Sequence, residues 1–214
     1  MFKDALSQKA QAVLSHLSAF LMEWNFYLAG GSGLALQIGH RLSEDLDFFS
    51  PKFFNTQNLI QFLRSQTTDL HFILEEQSTL IVEYKDIHLS FFQYTVPLIY
   101  PLAMIMEIPV ADWRDIVAEK FKVLSQRGCK KDFYDLYEVF AFGHLTIQEG
   151  TSLFRKRFEN TGINLYHVLR SLTFFEDAEA DPDPRLLLHH YSWEDVTRFF
   201  KERIREFEKY LIEN

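Results

Sequence analysis

Residues 26–49 read FYLAGGSGLALQIGHRLSEDLDFF. Phe26 to Ala29 is a short apolar run that stops at a double glycine, the pattern of a buried strand entering a tight turn. Ser32 to Ile38 can coil into a helix, with Ser32 near its start. His40 to Glu44 is polar and loop-like. Asp45-Leu46-Asp47-Phe48-Phe49 alternates and then runs apolar, a second strand that Ser50-Pro51 ends.

Each part has a chemical use. Adjacent glycines let the backbone come close to a ligand and take positive φ. A helix start directs unpaired N–H groups and partial positive charge outward, a seat for phosphate, and the Ser32 hydroxyl adds to it. Asp45 and Asp47 are two apart on a strand and point to one face. Two neighbouring carboxylates repel unless a cation lies between them, and Mg²⁺ accepts that arrangement together with phosphate oxygens. A phosphate cradle beside metal-binding carboxylates is the minimum equipment for phosphoryl or nucleotidyl transfer. Each half alone is commonplace, since Gly-Gly often precedes a helix and a lone Asp-x-Asp is usually a solvated pair. Their order along the chain makes the combination specific, because it brings the helix start beside the acidic strand.

Upstream, residues 2–23 carry apolar side chains at a helical period, among them Ala10, Val13, Leu14, Leu17 and Phe20. Downstream, residues 55–64 repeat that pattern. Strand-like runs follow over 71–75, 80–84 and 87–94, the last two flanking a Lys85-Asp86 hairpin turn. Beyond Pro97 and Pro101 the β character stops, and helices are predicted over 115–126, 131–142, 146–160 and 164–177. Asp181-Pro182-Asp183-Pro184 is a break. A final helix spans Ser192 to Glu213, with Ser192 as N-cap and Asp195 three positions on. The expected architecture is α+β, with an α/β domain over 1–108 and an all-helical domain over 109–214, and the seam is a crevice candidate.

The composition sets outer bounds. The chain has 214 residues, 47% of them hydrophobic and 24% charged, as a folded domain requires. A net charge of −8 argues against a coat for broad DNA binding but leaves room for a local basic site. One cysteine, Cys129, excludes a disulfide framework and a Cys-based zinc cluster within one chain, and fits a reducing cytoplasm. No apolar run is long enough to cross a membrane, and the N-terminus does not read as a signal peptide.

Gly30-Gly31-Ser32-Gly33-Leu34-Ala35-Leu36 followed by His40-Arg41-Leu42-Ser43-Glu44-Asp45-Leu46-Asp47-Phe48-Phe49 resembles the signature of the nucleotidyltransferase superfamily with the DNA polymerase β-like fold. More narrowly it resembles the AbiEii/AbiGii toxin family of abortive-infection and type IV toxin–antitoxin systems. A second block agrees: Asp115 to Lys120, then Arg127-Gly128, then Lys131-Asp132-Phe133-Tyr134-Asp135-Leu136 resembles that family's D-x-x-x-x-K, R-G and K/R-D-x-x-D-L segment. The resemblance implies a mixed-sheet N-terminal domain and an enzyme that moves NMP from an NTP to an acceptor with release of pyrophosphate. It implies Mg²⁺ or Mn²⁺ on Asp45 and Asp47, and nucleotide contacts from Gly30, Gly31, Ser32, Gly33 and Arg41. It makes the 3′ end of a tRNA, or a protein side chain, the acceptor and a cognate antitoxin a partner.

The second block also has a physical reading. Lys120, Lys122, Arg127, Lys130 and Lys131 form the clearest positive concentration in an acidic chain. Facing the acidic strand, Lys120 would neutralise triphosphate, and Arg127, Lys130 and Lys131 would touch nucleotide or RNA phosphate. Lysines near a helix C-terminus also simply complement its dipole. Asp132 and Asp135 share a helix face. Asp132 is read either as an N-terminal cap or, from the resemblance, as a residue that orients Lys120 or assists proton transfer. Arg41 suits a phosphate contact or an ion pair with Glu44 or Asp45 equally. The fold often carries a third carboxylate on a later strand, and by position Ser90 stands there, which leaves the general base unassigned.

Other residues are read more plainly. His189-His190 is expected at the surface, and the Phe pairs 48–49, 53–54, 91–92, 174–175 and 199–200 in cores and interfaces. Two rival functions share the active-site equipment. One is a small-molecule nucleotidyltransferase of the antibiotic-modifying kind, with an acidic pocket for a polycation such as an aminoglycoside. The other is a nucleotide-binding or antitoxin-interacting protein with a weakened site.

Overall fold

The computed structural model describes residues 1–213. The chain divides into two compact units, Met1–Asp112 and Trp113–Asn214.

In the first unit the described residues form a sheet of seven strands: β1 (Tyr27–Leu28), β2 (Leu46–Ser50), β3 (Leu70–Glu76), β4 (Thr79–Tyr84), β5 (Ile87–Gln93), β6 (Ala103–Ile105) and β7 (Ile108–Val110). Their spatial order is β3-β4-β5-β2-β1-β7-β6. The sheet is mixed. β2 runs parallel to β5 and β1 parallel to β7, while the other neighbours are antiparallel. The helices of this unit are α1 (Gln8–Glu23), α2 (Gly30–Ile38) and α3 (Thr56–Gln66). Alternation along β2 buries Leu46 and Phe48 and turns Asp47 and Phe49 to the opposite, half-buried side. Phe48 stacks on Phe91 of β5 at 5.1 Å, and Phe26 meets Phe91 and Phe54 edge to face. Phe20 of α1 stacks on Phe62 of α3 at 4.0 Å, so one aromatic core holds the helices to the sheet. Lys85 and Asp86 both have positive φ, the geometry of a two-residue hairpin turn.

Four expectations need correction. The N-terminal helix starts at Gln8, because residues 3–5 form a separate 3-10 turn and Ser7 caps α1. The helix after the double glycine begins at Gly30 rather than Ser32, so the glycines are its first turn. β structure does not stop at Pro101, since β6 and β7 form a hairpin of three-residue strands, too short to show a period. The helix predicted over 164–177 ends at Ser171, followed by turns and a 3-10 segment.

The second unit contains α4 (Trp113–Gln126), α5 (Lys130–Ala141), α6 (Ile147–Phe158), α7 (Leu165–Ser171) and α8 (Trp193–Leu211). Ser192 and Asp195 form the expected reciprocal cap of α8, and Thr146 and Glu149 form another on α6. Phe121, Phe133, Phe154, Phe200 and Phe207 are fully buried, with Phe133 against Phe175, Trp193 and Phe200 at 5.1–5.7 Å. Of the Phe pairs, Phe53 and Phe174 are exposed instead. Among the described residues no helix is long and apolar enough to cross a membrane.

Candidate active site

β1 ends where the Ala29 amide donates to the Asp47 carbonyl at 2.9 Å, which sets the start of α2 against β2. Gly30 follows with φ +60°, a left-handed value that L side chains rarely adopt. A Cβ at Gly30 would collide with Oδ2 of Asp47, so glycine is needed here both for its backbone and for the room it leaves. At Gly31 a Cβ would collide with Nη2 of Arg41. The glycine turn is therefore packed between a carboxylate and a guanidinium. Replacing Gly30 by alanine is expected to displace Asp47 and destabilise the first unit by about 1–3 kcal/mol. Thermal unfolding and a transfer assay on the same preparation check this, and an unchanged melting curve would contradict it.

Helix geometry leaves the amides of Gly30, Gly31 and Ser32 without acceptors in their own helix. The Gly33 amide is already used, donating to the Ala29 carbonyl at 3.0 Å. Ser32 is 1% exposed, and its hydroxyl bonds the Asp45 carbonyl and lies 2.8 Å from the hydroxyl of Ser43. Arg41 is buried and donates to the Leu42 carbonyl at 3.2 Å. The Ser43 amide donates to the Ala5 carbonyl at 2.8 Å, so the loop before β2 is also fixed to the N-terminal segment. Gly30, Gly31, Ser32, Arg41 and Asp47 thus meet around the turn, joined to Asp45 through its backbone carbonyl; Asp45 and Asp47 are half-buried, and Asp45 precedes β2 rather than lying on the strand as expected.

Asp47 pairs with Ser90 across β2 and β5, and Ser90 pairs with Ile81 on β4. That row carries no second acid. Glu83 pairs with His88 farther along and is exposed. Among the described residues no group of three or more His, Cys, Asp or Glu side chains could hold a metal. Asp45 and Asp47 supply carboxylate oxygens of the kind a divalent cation such as Mg²⁺ takes, and an ion there would need its other ligands from water or substrate.

The second block lies in the second unit. Lys120 of α4 is 5% exposed and is held by Asp132 and by Asp135 of α5, the latter at 2.5 Å. Oδ2 of Asp132 is buried without a hydrogen-bond partner. Arg127 is exposed at the end of α4. Lys130 is buried, 3.3 Å from Asp183 and over the Trp193 ring, while the Lys130 amide donates to Asp181 at 2.9 Å. Burial pushes the Cys129 thiol pKa up, against a reactive role.

Sequence reasoning missed three groups. Arg157 of α6 is buried and binds Asp115 of α4 at 2.8 Å and Glu119 at 3.2 Å. Its position on the helix face of Phe154 and Phe158 was the available signal. Fully buried Glu138 accepts from Tyr191 at 3.0 Å and lies 2.7 Å from Nδ1 of His189. His189 also stacks on Phe142, and with 42% of its side chain exposed it is at the surface as expected, like His190, but with partners that the sequence did not show. Burial first, and then Glu138, raises the Tyr191 pKa, which keeps the hydroxyl a neutral donor. Ser43 gave no signal, because its function is visible only in its contacts.

Comparison with known proteins gives a family and a fold. The family model described as nucleotidyl transferase AbiEii toxin, type IV toxin–antitoxin system, matches residues 12–99 and 85–209. The protein aq_aa25 of Aquifex aeolicus (strain VF5) is 32% identical over 189 residues, covering 86% of this chain and 88% of its own. JHP933 from Helicobacter pylori has a similar fold, with a TM-score of 0.55 at 19% identity over 97% of this chain and 95% of its own. MenT4, nucleotidyltransferase toxin Rv2826c from Mycobacterium tuberculosis H37Rv, matches with a TM-score of 0.55 at 16% identity over 95% of this chain and 86% of its own. With a family match that runs through both units and a relative 32% identical over 86% of the chain, the chain belongs to the AbiEii nucleotidyltransferase toxin family.

Proposed function

We propose that the protein transfers NMP from an NTP to a hydroxyl of an RNA, by family analogy the 3′ end of a tRNA, or of a protein, as a toxin paired with a cognate antitoxin. The observation that carries this reading is the packing of Gly30 on the Asp47 carboxylate together with the bond from the Ser32 hydroxyl to the Asp45 carbonyl, which set the helix start beside both aspartates. Asp45 and Asp47 would hold Mg²⁺ or Mn²⁺, which when bound withdraws charge from the phosphates. The amides of Gly30, Gly31 and Ser32 bind phosphate oxygens, and Arg41 beneath Gly31 adds fixed positive charge. The acceptor oxygen forms a bond to the α-phosphorus, the bond from that phosphorus to the bridging oxygen breaks, and pyrophosphate leaves with the electron pair. By the resemblance alone Lys120 would act on triphosphate charge, with Asp132 holding it, and Arg127 on nucleotide or RNA phosphate; within its own unit Lys120 is buried between Asp132 and Asp135.

The test is incubation of the purified protein with each α-labelled NTP, Mg²⁺ and total RNA, with an aminoglycoside in a parallel reaction. Label in an RNA band is expected. Label in the aminoglycoside alone would replace the reading with the small-molecule one. The lack of a second acid in the row of Asp47 and Ser90 favours one further reading, a weakened nucleotide-binding protein. Nucleotide binding without pyrophosphate release over all acceptors would select it.

A further inference from the structure

Ser32 occupies the place where a hydroxyl donor to phosphate is expected, yet its hydrogen is committed elsewhere. A serine hydroxyl has one hydrogen to give. The Asp45 carbonyl can only accept, so the Ser32 hydroxyl donates to it. In the 2.8 Å contact between the two serines, Ser43 must then be the donor and Ser32 the acceptor. Phosphate oxygens also accept, so a bond from Ser32 to phosphate would require breaking the bond to Asp45. With 1% of its surface exposed, Ser32 has no free side to offer instead.

We propose that Ser32 and Ser43 form a buried hydroxyl pair that positions the Asp45 carboxylate for a divalent cation, while phosphate is bound by the backbone of the glycine turn. Ser43 is itself fixed through its amide to Ala5, so the pair anchors the entry of β2 from two directions. Neither serine touches the reacting atoms, and both are positioning residues. Residues that orient a metal-binding carboxylate commonly change metal affinity by 10- to 100-fold when removed.

This inference rests on the nucleotidyl-transfer reading and is tested by binding rather than turnover. Mn²⁺ binding is followed by electron paramagnetic resonance without nucleotide, and binding of a fluorescent ATP analogue is followed in EDTA. Ser32→Ala is expected to weaken Mn²⁺ roughly 10-fold and leave analogue affinity within about 2-fold. Ser43→Ala, which lies outside the phosphate-binding turn, is expected to behave alike, and the double variant to add little to either. Loss of analogue binding with unchanged Mn²⁺ affinity in Ser32→Ala would make Ser32 a phosphate donor and overturn the proposal. Unchanged binding of both by both variants would also overturn it. A wild-type protein that binds neither Mn²⁺ nor the analogue would overturn the nucleotidyl-transfer reading itself. Should Ser32→Ala not fold, Ser43→Ala alone decides, since the proposal requires it to weaken Mn²⁺.

Discussion

Asp47→Asn lowers nucleotidyl transfer by at least roughly 10³-fold, about 4 kcal/mol of transition-state stabilisation, and leaves the protein folded. Asparagine has nearly the same shape, so it still fits against Gly30 and keeps the register with Ser90. What it removes is one of the two negative charges that would hold the cation. Asp47 sits on the side of β2 opposite the core residues Leu46 and Phe48, so melting should move by only a few degrees. Asp45→Asn should lose activity to a similar degree. Transfer of labelled nucleotide at the wild-type rate by either variant would remove that residue from the mechanism.

Arg157→Met is expected to destabilise the second unit by about 3–5 kcal/mol. The Arg157 side chain is 4% exposed and meets the carboxylates of Asp115 and Glu119, so its loss takes the guanidinium away from the fully buried Asp115 carboxylate. Methionine fills most of the volume, which separates the charge effect from a cavity effect. The double variant Asp115→Asn/Arg157→Met should recover much of the loss, since no net charge then stays buried at that pair. Denaturant unfolding of the four proteins completes the cycle. A single-variant change below about 1 kcal/mol would show that the pair is dispensable.

The parts of this protein legible in its sequence are those where the backbone itself imposes a residue type. Gly30 must be glycine for two independent reasons, and its place between an apolar strand and an acidic one marks the site. The long amphipathic helices and the reciprocal cap at Ser192 follow from periodicity and capping chemistry alone. Contacts between distant residues are less visible. Nothing in the order of residues says that Ser32 bonds the Asp45 carbonyl, whereas the contact of Asp132 with Lys120 is expected from the resemblance. β6 and β7 escaped because three-residue strands carry too few side chains to alternate, and they are held by pairing with each other and with β1. His189 escaped because a histidine that satisfies a buried glutamate looks, in sequence, like any surface histidine.

Asp181 and Asp183 reach back to the first turn of α5, where they meet the Lys130 amide, the Lys130 ammonium and the Tyr134 hydroxyl. A chain shortened at Ala180 would therefore lose more than a tail. It would uncover the beginning of α5, strip Phe133 of Trp193 and Phe200, and leave Glu138 without His189 and Tyr191. Expression of the first unit together with α4 to α7 alone should yield a polypeptide that sticks to itself, and fusions or tags are better placed beyond α8 than inside this span.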